Sequence, residues 1–200
     1  MGRKKVWVDA GHGGYDPGAV SGGAIEAVIN LSVAIKLKEI LEAAGYAVGM
    51  SRDSSTYVSP GARARAANAD PDVFLFLSLH CNAAMNQEAN GIEAFTSHGQ
   101  TKADDYAEAI LNTLMSAFPT KRLRADYRDG DADKEGNFTV LTATRMPAVL
   151  IEMGFITNAE ERAWLQEPDT QTRLAMAIAT GVSIVEGPFV LTQPHELVTV

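Results

Sequence analysis

The stretch VFLFLSL, Val73–Leu79, constrains the fold of this chain more than any other, because a near-continuous apolar run of strand length asks to be buried on both faces. Such a strand needs paired strands beside it and helices above and below. The run ends in a polar tip carrying His80 and Asn82, so the middle of the sheet delivers an imidazole to one edge.

The flanking segments supply the rest of that architecture. VWVDAGHGGYDPGAVSGGAIE, from Val6 to Glu26, runs an apolar strand into a loop where Gly11, Gly13 and Gly14 free the backbone and leave His12 projecting from the strand's carboxyl end. Helical spacing follows through Val28, Leu31, Ile35, Leu37, Ile40 and Leu41, closed by Gly45. YAVGMSR reads as a strand, SPGARARAANAD as a helix with Pro60 near its start, and GIEAFTSH as a short strand. TKADDYAEAILNTLMSAFP is an amphipathic helix through Tyr106, Ile110, Leu114 and Phe118, and the charged stretch from Thr120 to Asn137 reads as an exposed loop. FTVLTAT and AVLIEMGF read as two more strands, the second bringing Glu152 to its end. Two helices follow, the first short, with Asn158 as N-cap and Glu161 three residues on.

Strands alternating with helices predict an α/β domain of three layers around a twisted, mostly parallel central sheet. Two hundred residues suit one buried core rather than two. Residues 1–187 are therefore expected to form one domain. Residues 188–200, with proline and no helical period, are expected to be a tail or linker stub.

A net charge of -8 argues against a nucleic-acid partner, which needs a basic surface to neutralise phosphates. The basic cluster Lys121, Arg122, Arg124 and Arg128 reads as a solvated face or loop, with contact to an anionic polymer the lesser alternative. The single cysteine, Cys81, cannot form an internal disulfide. Its place beside His80 invites a nucleophile reading, but neighbouring strand residues point to opposite faces. No stretch is long enough to cross a membrane, and no apolar run of signal-peptide length follows the opening MGRKK. The expectation is a monomer made in the cytoplasm without a signal peptide and acting after release, or a domain excised from an exported precursor.

Three predicted strands thus end in His12, His80 and Glu152, and loops at strand carboxyl ends converge on one crevice in an open α/β sheet. Glu26, at the start of the first long helix, is close enough along the chain to reach the same rim. Two imidazoles and a carboxylate suit zinc and leave the other carboxylate free as a base. Each residue also has a structural alternative: a loop histidine bonded to backbone, a satisfied strand-end histidine, a first-turn carboxylate favoured by the helix dipole. Glu152 is the hardest to explain that way, because an acid after Val149, Leu150 and Ile151 is costly to bury without a partner. Asp9 is placed to hydrogen-bond His12 from behind, and Asn82 to contact substrate. His98, in a polar loop, and His195, in the tail, are set aside.

VWVDAGHGGYDPGA, GAIEAVINLSVAIKLKEILEAAGYAV, RARAANADPDVFLFLSLHCNA and MPAVLIEMGFITNAEE closely resemble, in order and spacing, the catalytic domain of zinc-dependent N-acetylmuramoyl-L-alanine amidases of the Amidase_3 type. The resemblance covers Lys5 to Gly187. It implies a phosphorylase/hydrolase-like fold, a zinc ion held by His12, Glu26 and His80, and Glu152 as catalytic acid/base. The implied substrate is peptidoglycan, cut between the lactyl group of N-acetylmuramic acid and the L-alanine of the stem peptide. Cys81 stands where many members carry alanine, and no wall-binding repeat or autoinhibitory helix is evident. The implied setting shifts toward a phage or prophage endolysin, or an excised catalytic domain of an autolysin. Three rivals remain at this stage: a silent wall-binding module, a zinc peptidase acting on other amides, and a metal-free enzyme using Asp9, Asp16 or Asp53.

Overall fold

A computed structural model describes residues 4–128 and 130–187, so the expected tail, with His195, lies outside the described residues. Six strands form one sheet in the order β4-β1-β5-β8-β6-β7. They are β1 (Lys5–Ala10), β4 (Ala47–Met50), β5 (Val73–Asn82), β6 (Glu93–Thr96), β7 (Lys134–Glu135) and β8 (Ala148–Phe155). The four strands from β4 to β8 run parallel, whereas β6 lies antiparallel against β8. The apolar run β5 sits between β1 and β8, as its two dry faces require.

Period-2 alternation divides the strands between two faces. Val6, Val8, Leu75, Leu77, Leu79, Cys81, Val149, Ile151 and Met153 enter the larger core. That core is closed by α1 (Glu26–Ala43), α3 (Lys102–Ala117) and α6 (Pro168–Glu186). Phe76, Ala148 and Leu150 face a smaller cluster under α2 (Pro60–Asn68) and α4 (Thr139–Thr142). Asp9, Ser78, His80 and Glu152 share the parity of this second face, so the polar ends of three strands emerge on one side.

Local chemistry sets the boundaries of these elements. Between β1 and α1, β2 (Val20–Ser21) and β3 (Ala24–Ile25) form a two-residue hairpin whose Gly22 and Gly23 have φ of 54° and 84°. Only glycine adopts that pair of conformations cheaply. At α3, the Thr101 side chain and Asp104 form a capping box. Asn158 caps α5 (Ala159–Gln166) by accepting from the backbone nitrogens of Glu160 and Glu161, each at 3.1 Å. The Glu161 carboxylate turns instead to the backbone of Gly91 and Phe155, tying α5 to the start of β6 and the end of β8.

Three expectations are corrected. FTVLTAT is the short helix α4 rather than a strand, because Val140 and Leu141 together reach the cluster around Phe76 and Leu150 from one helical turn. The segment 120–137 is not exposed throughout, since it carries β7 and buries Ala132 and Asp133. In α1 the buried stripe runs through Ile29, Val33, Leu37 and Leu41, while Val28 and Ile35 face outward.

Candidate active site and metal centre

The chain leaves β1 through Gly11, and His12 follows with φ of 61°, the one described non-glycine residue in the left-handed region. Two buried arginines hold that backbone. Arg52 donates through Nε to the Ala10 oxygen at 2.8 Å and through Nη2 to the Gly11 oxygen at 2.9 Å. Arg63, on α2, donates through Nη1 to Ala10 O at 2.6 Å and through Nη2 to His12 O at 2.7 Å. Main-chain carbonyls that point inward in such a loop have no ladder partner, and the guanidinium forks supply the missing donors.

His12, Glu26 and His80 come together at this exit, each offering a ligand atom within 4.8 Å of the others. His80 stands at the tip of β5, and Glu26 opens α1 with its carboxylate 4% exposed as a residue. Glu26 Oε1 lies 3.0 Å from His80 Nδ1 and 3.3 Å from His12 Nε2, and accepts from the backbone nitrogen of Cys81 at 3.1 Å. Its Oε2 accepts from the Ala19 nitrogen at 2.8 Å. Burial opposes the Glu26 charge, but hydrogen bonds from His12 and His80 outweigh it and hold the carboxyl well below the usual range. His12 is pushed up to about 9, first by its hydrogen bond to Glu26, against the opposing effect of burial.

These residues fit a divalent cation. The donor set is nitrogen, oxygen and nitrogen, and the glycines nearby leave room only for the rings themselves. A Cβ at Gly11 would stand 2.2 Å from His80 Cε1, and one at Gly18 would stand 2.5 Å from Glu26 Oε2 and 2.7 Å from His12 Cδ2. Asp16 Oδ2 lies 2.9 Å from His12 Nδ1, which orients the ring and leaves Nε2 for a metal. A cation would take the place of the proton that His12 carries, since both compete for the same lone pair.

Glu152 faces the same cleft, a cavity of about 450 Å³ whose walls include Val58, Pro60, Phe138 and Val140. Sheet register puts it beside His80 on β5 and beside Glu93 on β6. Its Oε2 is buried with no hydrogen-bond partner. Burial, the largest influence, pushes the carboxyl up to about 7; Glu26 and Glu93 act in the same direction, and His80 and His12 against it. A carboxyl poised there can hold a proton or release it near neutral pH.

The four sequence candidates His12, Glu26, His80 and Glu152 therefore meet in one cleft. Asn82 also lines it, but its side chain is engaged: Nδ2 donates to Glu93 Oε1, and Oδ1 accepts from the Ala83 nitrogen at 2.8 Å. Asp9 does not reach His12. It accepts from Arg63 Nη1 at 2.8 Å and Ser78 Oγ at 2.7 Å, and Asp16 fills the role expected of it. His98 pairs with Glu135 at 2.8 Å, away from the cleft. Cys81 is buried in the larger core, and burial pushes its thiol well up, which removes it as a nucleophile.

Sequence reasoning missed Arg52, Arg63 and Glu93, and named Asp16 only as a candidate acid of a metal-free enzyme, not as the partner of His12. An arginine amid the small residues of ARARAAN was the available signal for Arg63, since α2 otherwise has little reason to bury a cation. The basic cluster is partly structural rather than solvated: Arg124 donates to Glu93, which Lys134 of β7 also reaches, and Lys121 lies 4.4 Å over the Trp164 ring. Among the described residues no helix is long and apolar enough to cross a membrane.

The sequence profile of a family described as N-acetylmuramoyl-L-alanine amidase matches residues 6–183. The chain is 34% identical over 179 residues to the N-acetylmuramoyl-L-alanine amidase LytC of Bacillus subtilis, covering 88% of this chain and 34% of LytC. It thus spans about a third of that relative's length. Among solved structures it is similar to an N-acetylmuramoyl-L-alanine amidase from Clostridium difficile 630, with TM-score 0.84, 34% identity, and coverage of 92% of this chain and 98% of that one. The catalytic domain of CwlV, an amidase of the same description from Bacillus (Paenibacillus) polymyxa, gives TM-score 0.81 and 32% identity over 92% of this chain and 98% of that one.

Proposed function

The chain belongs to the N-acetylmuramoyl-L-alanine amidase family, and from that premise we propose that it hydrolyses the amide between the lactyl group of N-acetylmuramic acid and the L-alanine of the peptidoglycan stem, with His12, Glu26 and His80 holding zinc and Glu152 carrying the proton. The observation that carries this reading is the buried carboxyl of Glu152, its Oε2 without a hydrogen-bond partner, in the wall of the cleft where the three candidate ligands converge.

Zinc in that position supplies Lewis acidity, lowering the pKa of water to about 7 and polarising the scissile carbonyl. The chain's own residues do the rest. Asp16 fixes the His12 ring, and Arg63 fixes the backbone beneath it. The Glu152 carboxylate accepts a proton from the attacking water as a carbon–oxygen bond forms. The same carboxyl group then gives that proton to the alanine nitrogen as the carbon–nitrogen bond breaks. The products are a lactyl carboxylic acid on the sugar and a stem peptide with a free amino terminus. A carboxyl that burial pushes above its ordinary value can serve in both directions. The apolar walls of the cleft limit the water around the proton carrier.

Mass spectrometry of muropeptides after digestion tests the reading. Stem peptides beginning with free L-alanine, formed with zinc and not after chelation, are expected. Cleavage inside the stem would instead make the protein a peptidase, and undigested walls would leave it a binding module. We further propose that residues 1–187 are the catalytic unit, so that a chain ending at Gly187 keeps full turnover.

A further inference from the structure

We infer that Tyr15 and Tyr57 form a stacking platform for a neutral N-acetylated sugar ring of the glycan strand, at the lip of the cleft; this rests on the amidase reading above. The two rings lie 4.3 Å apart between centroids and tilted by 32°, and Tyr15 is 80% exposed. One face of Tyr15 is therefore backed by Tyr57 while the other is open to solvent. Stacked aromatics left open to water offer apolar area with little conformational entropy to lose, which suits them to bind a flat partner.

The backbone holds the pair in place. Tyr15 sits inside a loop closed by the Gly13 nitrogen to the Asp16 oxygen at 2.7 Å and by the Asp16 nitrogen to the Gly13 oxygen at 3.1 Å. Gly14, with φ of 63°, lets that loop lie against Tyr57: a Cβ at Gly14 would stand 2.8 Å from both Tyr57 Cβ and its backbone nitrogen. Each tyrosine is also continuous with the reacting centre. Tyr15 lies between His12 and Asp16, and Tyr57 precedes Val58, which lines the cleft. A polymer with its amide near Glu152 can extend from the cleft across this platform.

Charge selects the occupant. Asp16 keeps 38% of its side chain exposed beside Tyr15, and the loop leading to Tyr57 presents exposed Asp53. Stem peptides bear free carboxylates, which this edge repels. N-acetylated sugars bear no charge, and the C–H face of a pyranose matches an aromatic surface.

Kinetics on two substrates test the platform: a single N-acetylmuramic acid bearing its stem peptide, and a glycan oligomer bearing the same stem. Removing one aromatic face from a sugar-sized contact is expected to lower the oligomer-to-monomer ratio of kcat/KM about ten-fold in Tyr15→Ala. The loss should fall on KM, and Tyr15→Trp should restore the ratio. A Tyr15→Ala ratio equal to wild type, with wild type active on both substrates, overturns the platform and leaves the amidase reading intact. So does an equal loss of kcat/KM on both substrates, which would seat the shared stem peptide there. Wild type inert on both substrates overturns the amidase reading and the platform with it.

Discussion

Arg63 Nη2 donates to the backbone oxygen of His12 at 2.7 Å while its Nη1 lies 2.8 Å from Asp9 Oδ1, so one buried guanidinium both neutralises a strand-end acid and holds the main chain of a candidate metal ligand. His12 adopts a backbone conformation that non-glycine residues usually avoid, with φ of 61°. Such conformations persist where surrounding bonds over-determine them, and here Arg63 and Asp16 grip the residue from two sides.

Replacing Arg63 by methionine keeps much of the apolar stem and removes the donors. Asp9 is then buried beside Ser78 without its cation, and stability is expected to fall by about 3–5 kcal/mol. Denaturant unfolding measures this. A loss under about 1 kcal/mol would mean that the ion pair and the carbonyl contacts contribute little.

Gly11→Ala addresses the packing of the second histidine. The new Cβ would fall between 2.2 and 2.7 Å from three atoms of the His80 ring. The ring must move, and zinc affinity is expected to drop at least about ten-fold with secondary structure retained. Competition against a chromophoric chelator gives the affinity. Unchanged binding would place the metal away from His80.

Glu152→Gln separates chemistry from metal binding. The amide fills the same space and cannot take a proton, so turnover should fall by about 10² to 10⁴ while bound zinc, measured by atomic emission, stays at the wild-type level. In the wild type, activity should decline as pH falls through the pKa of Glu152, about 7 before a cation is bound. A bound cation favours the carboxylate and moves that limb lower. A Gln variant with full activity would remove Glu152 from the mechanism.

The raised pKa of His12 makes a statement about metal-free protein. Its value is raised from 6.5 to about 9, so its contribution to stability is complete below 6.5 and is lost as pH rises through 9. Metal-free Tm should therefore decline across that window, and His12→Ala should flatten the decline. Zinc uptake should release protons and strengthen over the same range, as calorimetry in buffers of different ionisation enthalpy would detect. Uptake without proton release would exclude a His12 ligand.

What could be read in the sequence was whatever depends on one segment at a time. VFLFLSLHCN, AVLIEMGF and VWVDAG are strands in the structure, and their polar ends meet because parallel strands aim their carboxyl termini alike. What depends on pairing stayed hidden. Nothing in GIEAF says that Glu93 will lie opposite Glu152, because that follows from β6 running antiparallel to β8, beside the four parallel strands. FTVLTAT has β-branched composition and is helical because Val140 and Leu141 must reach Phe76 and Leu150 together, a tertiary demand that overrides propensity. Asp9 and Asp16 differ in role through the reach of Arg63, which sits 54 residues from the acid that it neutralises.

The register that sets His80 against Glu152 has a longer consequence. Two residues opposed on adjacent strands are separated by the spacing of the backbone ladder, about 4.8 Å, which no side-chain substitution can alter. The gap between His80, a candidate metal ligand, and Glu152, the proposed proton carrier, is thus a fixed dimension of the scaffold. Loops around the cleft are free to diverge, and to admit one partner or another, without changing that dimension.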